Sequence, residues 1–207
     1  MDEHDANNRV VAGLIAHLGR IASGDGFVSG LTAAQWTTLR YFARANRFSR
    51  TVSAFAEFHS TTRGTASQTV KGLVSEGYVT RTRSEADGRS SRLDLTEKAT
   101  AILANDPFEA LVRAAGALPP GACGQLAANL ERMLDHVAKE RRKRPFGMCP
   151  SCTHLECEHG CVQGRPAYEC GLMGQPLEPA ELGEICVNYE PGKDSAMKRA
   201  FGSEAPR

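Results

Sequence analysis

The sequence predicts a mainly α-helical protein that carries one small β-hairpin and ends in a cysteine-rich segment. Apolar residues recur at three- and four-residue spacing through most of the first 144 residues, as is typical of amphipathic helices. Two short stretches, 78–83 and 91–95, instead alternate around a polar turn, as hairpin strands do. Six of the seven cysteines lie between Cys149 and Cys186. We therefore expect a helical domain over 1–144, a cysteine-rich metal-binding segment over 145–191 and a loose polar tail over 192–207.

Charge is unevenly distributed, although the net charge is only +1. Between Thr32 and Lys98, eleven Lys and Arg residues face six Asp and Glu residues, whereas five face nine between Pro145 and Arg207. The middle of the chain therefore suits a polyanion and its C-terminal part does not. Neither a signal peptide nor an apolar run of transmembrane length is visible, so we expect a cytoplasmic protein whose thiols are reduced.

Four helices are predicted before the hairpin. The first covers residues 8–23 and is amphipathic. Thr32 and Gln35 form a capping box at the start of the second. A short third helix over 49–58 leads through a turn into a fourth, which Thr61 or Thr62 can cap and which Gly77 ends. Its buried stripe is expected to contain Ala66, Val70, Leu73 and Val74, and its opposite face shows only hydroxyl, amide and basic groups.

Stretch 49–95 as a whole has the order of a winged helix-turn-helix. The two short helices form the helix-turn-helix, and a hairpin with arginine at its tip follows them. Such a unit suits duplex DNA, because a helix that presents donors can read the major groove while a second element contacts the duplex alongside.

Two further helices are expected after the hairpin. Thr96 caps a helix that runs to about Ala117, and Asn105-Asp106-Pro107 should kink or interrupt it. Cys123 near the start of the last helix is interpreted as a small buried residue. The first helix and these last two have spare apolar faces, which favours a symmetric dimer.

Three segments carry a resemblance to a known family: "LTAAQWTTLRYFARA", "LVSEGYVTR" and "DGRSSRLDLTEKA". Their order is that of the MarR family of bacterial transcription regulators, which the chain resembles from about residue 8 to residue 139. This resemblance implies an obligate homodimer that binds a pseudo-palindromic operator with one reading helix per half-site. It also implies that Asp87 braces the wing and that Arg89 enters the minor groove. The residues it implies in the major groove are Arg63, Thr65, Ser67, Gln68 and Lys71. Relatives commonly bind small ligands near the dimer helices; ordinary packing and a ligand pocket are both open for His17, Trp36 and Tyr41.

The cysteine-rich segment has the composition of a four-thiolate site. Cys149 and Cys152 form a C-x2-C chelate, and Cys170 and Cys186 stand alone further along. Four thiolates select zinc or an iron–sulfur cluster. The spacing C-x2-C-x17-C-x15-C resembles that of high-potential iron–sulfur proteins and of small subunits of some glycyl-radical enzymes, which implies one 4Fe–4S cluster; Zn²⁺ is the alternative. Cys157 and Cys161 are additional redox or ligand thiols in this interpretation, and His154 and His159 are possible zinc ligands.

Three functions are compatible with these features. The first is a repressor whose operator binding responds to redox or iron status through the cluster. The second is a similar regulator with structural zinc and a small-molecule or thiol-oxidation signal. The third, an electron-transfer module or enzyme, is disfavoured because no catalytic constellation is visible and four cysteine ligands would leave no open position for a substrate.

Overall fold

The computed structural model describes residues 3–22, 30–83, 91–162 and 165–192. In these ranges the helices are α1 (Glu3–Ala22), α2 (Ala33–Arg44), α3 (Val52–Phe58), α4 (Arg63–Ser75), α5 (Glu97–Leu103), α6 (Glu109–Gly116) and α7 (Ala122–Glu140). The strands are β1 (Val79–Arg83), β2 (Ser91–Leu95), β3 (Leu155–Val162), β4 (Arg165–Cys170) and β5 (Gln175–Leu177). None of the helices in these ranges is long and apolar enough to cross a membrane.

The main core lies inside the unit formed by α2, α3, α4 and the β1–β2 hairpin. Trp36, Leu39, Leu73 and Leu93 are fully buried there. The hairpin is antiparallel, with Val79 opposite Leu95. The predicted mainly α-helical fold with a small hairpin is therefore confirmed for the described residues.

Local signals account for most of the helix boundaries. Thr32 and Gln35 form the predicted capping box at α2, and Thr62 rather than Thr61 caps α4. Gly77 has a φ of +76°, a left-handed conformation that glycine adopts without strain, and it ends α4 as expected. The predicted third helix starts too early, because Ser49 donates its N–H to Asn46 in a turn and Thr51 caps α3.

The helix expected after Thr96 is interrupted where the sequence indicates. Asp106 accepts a hydrogen bond from the Phe108 N–H (2.8 Å), so the carboxylate replaces a helical partner at the break between α5 and α6. Arg40 of α2 donates to both oxygens of Asp106, at 2.7 and 2.5 Å, and to the carbonyl oxygen of Ala22 at 2.9 Å. This half-buried arginine joins α1, α2 and the α5–α6 break.

The long terminal helices expose apolar side chains within the single chain. Leu14 on α1 is 57% exposed and Leu134 on α7 is 53% exposed. Three further predictions require correction. Cys123 is exposed rather than buried, because α7 has no packed face at that end, and Val74 is partly exposed at the edge of the α4 stripe. The first helix begins at Glu3 rather than near residue 8.

The cysteine-rich segment has its own small core. Strands β3, β4 and β5 form an antiparallel sheet in that order. Cys149, Tyr168, Leu177 and Leu182 are buried together beside it.

Candidate nucleic-acid interface and cysteine cavity

One face of α4 is fixed by burial and the other faces solvent. Ala66 and Leu73 are almost completely buried, so the helix cannot rotate about its axis without exposing them. Of the predicted DNA-contacting residues, Arg63, Thr65, Gln68 and Lys71 are exposed and Ser67 is half-buried. Among the described residues, none forms a hydrogen bond with the side chains of Arg63, Gln68 or Lys71. These three donors are therefore available to a ligand.

The N-terminus of α4 is also open. The Thr62 hydroxyl oxygen accepts from the Thr65 N–H at 3.1 Å, and the two hydroxyl oxygens lie 2.8 Å apart. No carboxylate lies in the first turn, so the positive end of the helix dipole is not neutralised there. The arrangement favours a negatively charged group at this end.

The hairpin adds basic groups beside the reading helix. Arg81 on β1 is exposed, and Arg92 on β2 donates to Asp94 at 2.9 Å. Asp87 and Arg89, the predicted wing residues, lie outside the described residues.

Four cysteines line one cavity in the C-terminal segment. Cys149 lies in a short 3-10 turn and Cys152 follows it, Cys170 ends β4, and Cys186 lies in an extended stretch that pairs with Gly147. These are the four predicted ligands. The rest of the lining is mostly apolar and includes Phe48 and Asn46 of the helical domain together with His154, Leu155, Leu172, Met173, Leu177 and Asn188.

The remaining cysteines of the segment have different positions. Cys157 lies in β3 opposite Tyr168 and is not among the residues that line the cavity. Cys161 also lies in β3, but its side chain and that of His159 lie outside the described part. The structure thus brings together the four cysteines of the C-x2-C-x17-C-x15-C pattern and leaves Cys157 apart from them.

Electrostatics inside the cavity favour the neutral thiol in the absence of a cation. Burial, followed by the proximity of Cys186, Cys152 and Cys170, raises the pKa of the Cys149 thiol to about 12. Within the described ranges, no group of three or more His, Cys, Asp or Glu residues is placed so that it could hold a metal ion. His154 Nε2 lies 3.3 Å from Glu190 Oε2, yet this nitrogen forms no hydrogen bond, so we treat the pair as a proximity only.

The cysteine cavity lies against the turn between α2 and α3. Ile185 and Val187 belong to the main core, whereas Cys186 between them lines the cavity, as alternation along an extended chain dictates. The Ile185 N–H donates to the carbonyl oxygen of Arg44 at 2.7 Å, and the Val187 N–H donates to the buried Ser49 hydroxyl at 3.1 Å. The cysteine segment therefore contacts the winged unit directly.

Two ion pairs complete this contact. Arg47 donates to Glu181 at 3.1 Å, and Arg50 donates to Glu184 at 3.4 Å. Burial raises the pKa of Glu184, while the charge of Arg50 lowers it. Two acids of the C-terminal part are therefore paired with arginines of the winged unit.

Sequence reasoning missed this docking surface. Its signal is a matched spacing: Arg44, Arg47 and Arg50 recur every three residues, as do the acids at 178, 181 and 184. Only the last two members of each series are paired in the structure.

Comparison with known proteins concerns the helical domain. Residues 29–90 match the model of the MarR family. A MarR transcriptional regulator from Methanosarcina mazei Go1 is 25% identical, and the match covers 63% of this chain and 98% of that one with a TM-score of 0.50. No curated protein matches the sequence.

Two solved structures of DNA complexes share the fold at lower identity. MepR of S. aureus is 17% identical, with a TM-score of 0.54 over 66% of this chain and 99% of that one. FabT of Streptococcus pneumoniae is 19% identical, with a TM-score of 0.50 over the same shares. At these identities the likeness establishes the fold alone.

Proposed function

We propose that this chain, whose residues 29–90 match the model of the MarR family, is a DNA-binding transcriptional repressor. The observation that carries the proposal is the open donor face of α4 on a rigidly buried helix. The structures of MepR and FabT with DNA are consistent with it, because they place the same fold on a duplex.

Each predicted contact has a physical role at the duplex. Gln68 can pair with an adenine edge, and Arg63 and Lys71 can bind guanine or phosphate. Thr65 and Ser67 supply hydroxyl groups for the backbone at the open N-terminus of α4. Arg89 would enter the minor groove, with Asp87 bracing the wing.

The repressor would act as a homodimer on a pseudo-palindromic operator. Exposed apolar residues on α1 and α7 form a surface whose exposure to water is unfavourable. A second copy of the chain can bury this surface. One α4 helix per half-site then places both reading helices on one side of the duplex.

We further propose that Cys149, Cys152, Cys170 and Cys186 hold a 4Fe–4S cluster. Their thiols share one cavity with largely apolar walls, which is the donor set such a cluster requires. A structural zinc ion would need all four sulfurs about 2.3 Å from one centre. In a 4Fe–4S cluster, by contrast, each cysteine binds a different iron. When bound, the cluster would change its charge with redox state. Its gain or loss with iron supply would fix or release the four cysteine side chains.

In this proposal the cysteine segment modulates operator binding. It contacts the turn that precedes the helix-turn-helix. A rearrangement of the thiols would therefore act on a segment that is directly connected to the DNA-binding surface. Structural zinc with a separate small-molecule or thiol-oxidation signal is the second candidate. A groove lined in part by His59, Thr61 and Thr65 borders α4 and is open to such a ligand; Trp36 and Tyr41 are instead core residues.

A visible spectrum with iron, sulfide and zinc analysis on protein purified without oxygen tests the cofactor. The proposal predicts brown protein with about four irons per chain. Cys149→Ser and Cys170→Ser should each abolish the colour. The matched control Cys123→Ser should leave it unchanged, because that thiol is exposed on α7. Colourless wild-type protein with one zinc per chain would establish the second candidate and refute the cluster.

A further inference from the structure

We propose that Arg50 is a positioning residue that couples the cysteine cavity to strand β2 of the DNA-binding unit. The inference rests on the proposed function, since it concerns how the cavity controls operator binding. It adds a route that lies inside one protomer.

Arg50 bridges three parts of the chain through separate guanidinium nitrogens. Its Nε donates to the carbonyl oxygen of Ala45 at 2.9 Å, at the end of α2. Its Nη1 donates to Asp94 on β2 at 3.2 Å, and its Nη2 donates to Glu184 at 3.4 Å. The side chain is 23% exposed, so water only partly screens these contacts. A planar guanidinium presents its donors in a fixed fork and can hold all three partners at once.

Glu184 connects this arginine to the cavity. It precedes Cys186 by two residues, and Ile185 between them is held by Arg44. Cys186 also exchanges backbone hydrogen bonds with Gly147, which lies just before Cys149. A change in the geometry that Cys149 and Cys186 adopt around a shared ligand must therefore move this short extended stretch, and Glu184 with it.

Asp94 connects the arginine to the DNA-binding side. One of its oxygens accepts from both Arg50 and Arg92, the latter at 2.9 Å. The N–H of Leu93 donates to the Arg50 carbonyl oxygen at 2.8 Å, so the strand is also tied to the backbone at this residue. Arg92 is half-exposed on the hairpin. Loss of the Glu184 contact would change how Arg50 and Arg92 share Asp94, and thereby the position of a basic group on the hairpin.

The test compares the affinity of cluster-loaded and cluster-stripped full-length protein for a duplex selected in vitro from random sequence. For each variant the measured quantity is the affinity of the form that binds more tightly in wild type divided by the affinity of the other form. The visible spectrum is recorded alongside. Glu184→Gln weakens the Arg50 bridge at the cavity end, and Asp94→Asn weakens it at the β2 end. Glu181→Gln is the matched control, because it weakens the Arg47 ion pair in the same interface, which has no contact with β2.

We expect the ratio to fall at least about fivefold in Glu184→Gln and in Asp94→Asn, while the spectrum stays unchanged. About fivefold is the lower end of typical allosteric coupling factors. The Glu181→Gln ratio should equal that of wild type. Asp94→Asn keeps the result decisive if Glu184→Gln disturbs cluster loading, since residue 94 lies outside the cysteine segment. A wild-type ratio above one that Asp94→Asn preserves would overturn the role of Arg50. A wild-type ratio of one would instead refute the proposed function.

Discussion

The Ser49 hydroxyl provides a specific test of the docking between the cysteine segment and the winged unit. It accepts from the Val187 N–H at 3.1 Å, and Ser49 is fully buried. The substitution Ser49→Ala removes this acceptor and leaves the backbone contacts of residue 49 with Tyr41 and Asn46 in place. A buried N–H without a partner costs roughly 1–3 kcal/mol. The docked state should therefore be destabilised by about that amount.

Amide hydrogen exchange measures this loss locally. The informative probe is the Ile185 amide, which donates to Arg44 and is not itself altered by the substitution. With about 1.4 kcal/mol per factor of ten, its exchange should accelerate roughly 5- to 150-fold. The comparison is made on metal-free, reduced protein so that ligand binding does not contribute.

Ser75→Ala serves as the control for this experiment. Ser75 donates to the Gly72 carbonyl oxygen within its own exposed turn, so its replacement should leave Ile185 exchange unchanged. If Ile185 exchanges at the wild-type rate in Ser49→Ala, the segment is not held on the α2–α3 turn and the reasoning fails.

Three further predictions address DNA contact, folding and pH. Lys71→Ala should reduce the slope of log DNA affinity against log salt concentration by about 0.9 for each phosphate that is no longer neutralised. The control Arg113→Ala on α6 should leave this slope unchanged. Binding titrations at several salt concentrations measure the slope. Asp106→Asn should lower the free energy of unfolding by about 3–5 kcal/mol in denaturant, since it leaves Arg40 half-buried without its charge partner; a decrease below about 1 kcal/mol would contradict this. Burial lowers the pKa of His59, so stability present above the ordinary histidine pKa of about 6.5 should be lost as pH falls below it. His59→Gln should flatten that decline in unfolding measurements, and an equal decline in the variant would remove His59 as its cause.

Local sequence signals predicted the helical domain well. Thr32 with Gln35 marked the start of α2, and Asp106-Pro107 marked the break between α5 and α6. The reason is that caps and helix breaks depend on residues close in sequence. The same holds for α4, whose buried stripe at Ala66, Val70 and Leu73 fixed its exposed face.

Long-range contacts were not predictable in the same way. The docking of residues 185–187 on the α2–α3 turn joins positions more than a hundred residues apart. Apart from the matched spacing of arginines and acids on either side of the contact, nothing near Ser49 in sequence indicates a partner at Val187. The four cysteines that their spacing singled out line one cavity. Their binding of a cluster stays a proposal.

The most direct test of cluster-controlled DNA binding is the affinity of full-length wild-type protein for its selected duplex, measured without oxygen before and after removal of the cluster. We predict two affinities that differ at least about fivefold, while Cys149→Ser shows only the cluster-free value in both preparations. Equal affinities for loaded and stripped wild-type protein, with the cluster confirmed by its spectrum in the loaded sample, would contradict the proposal.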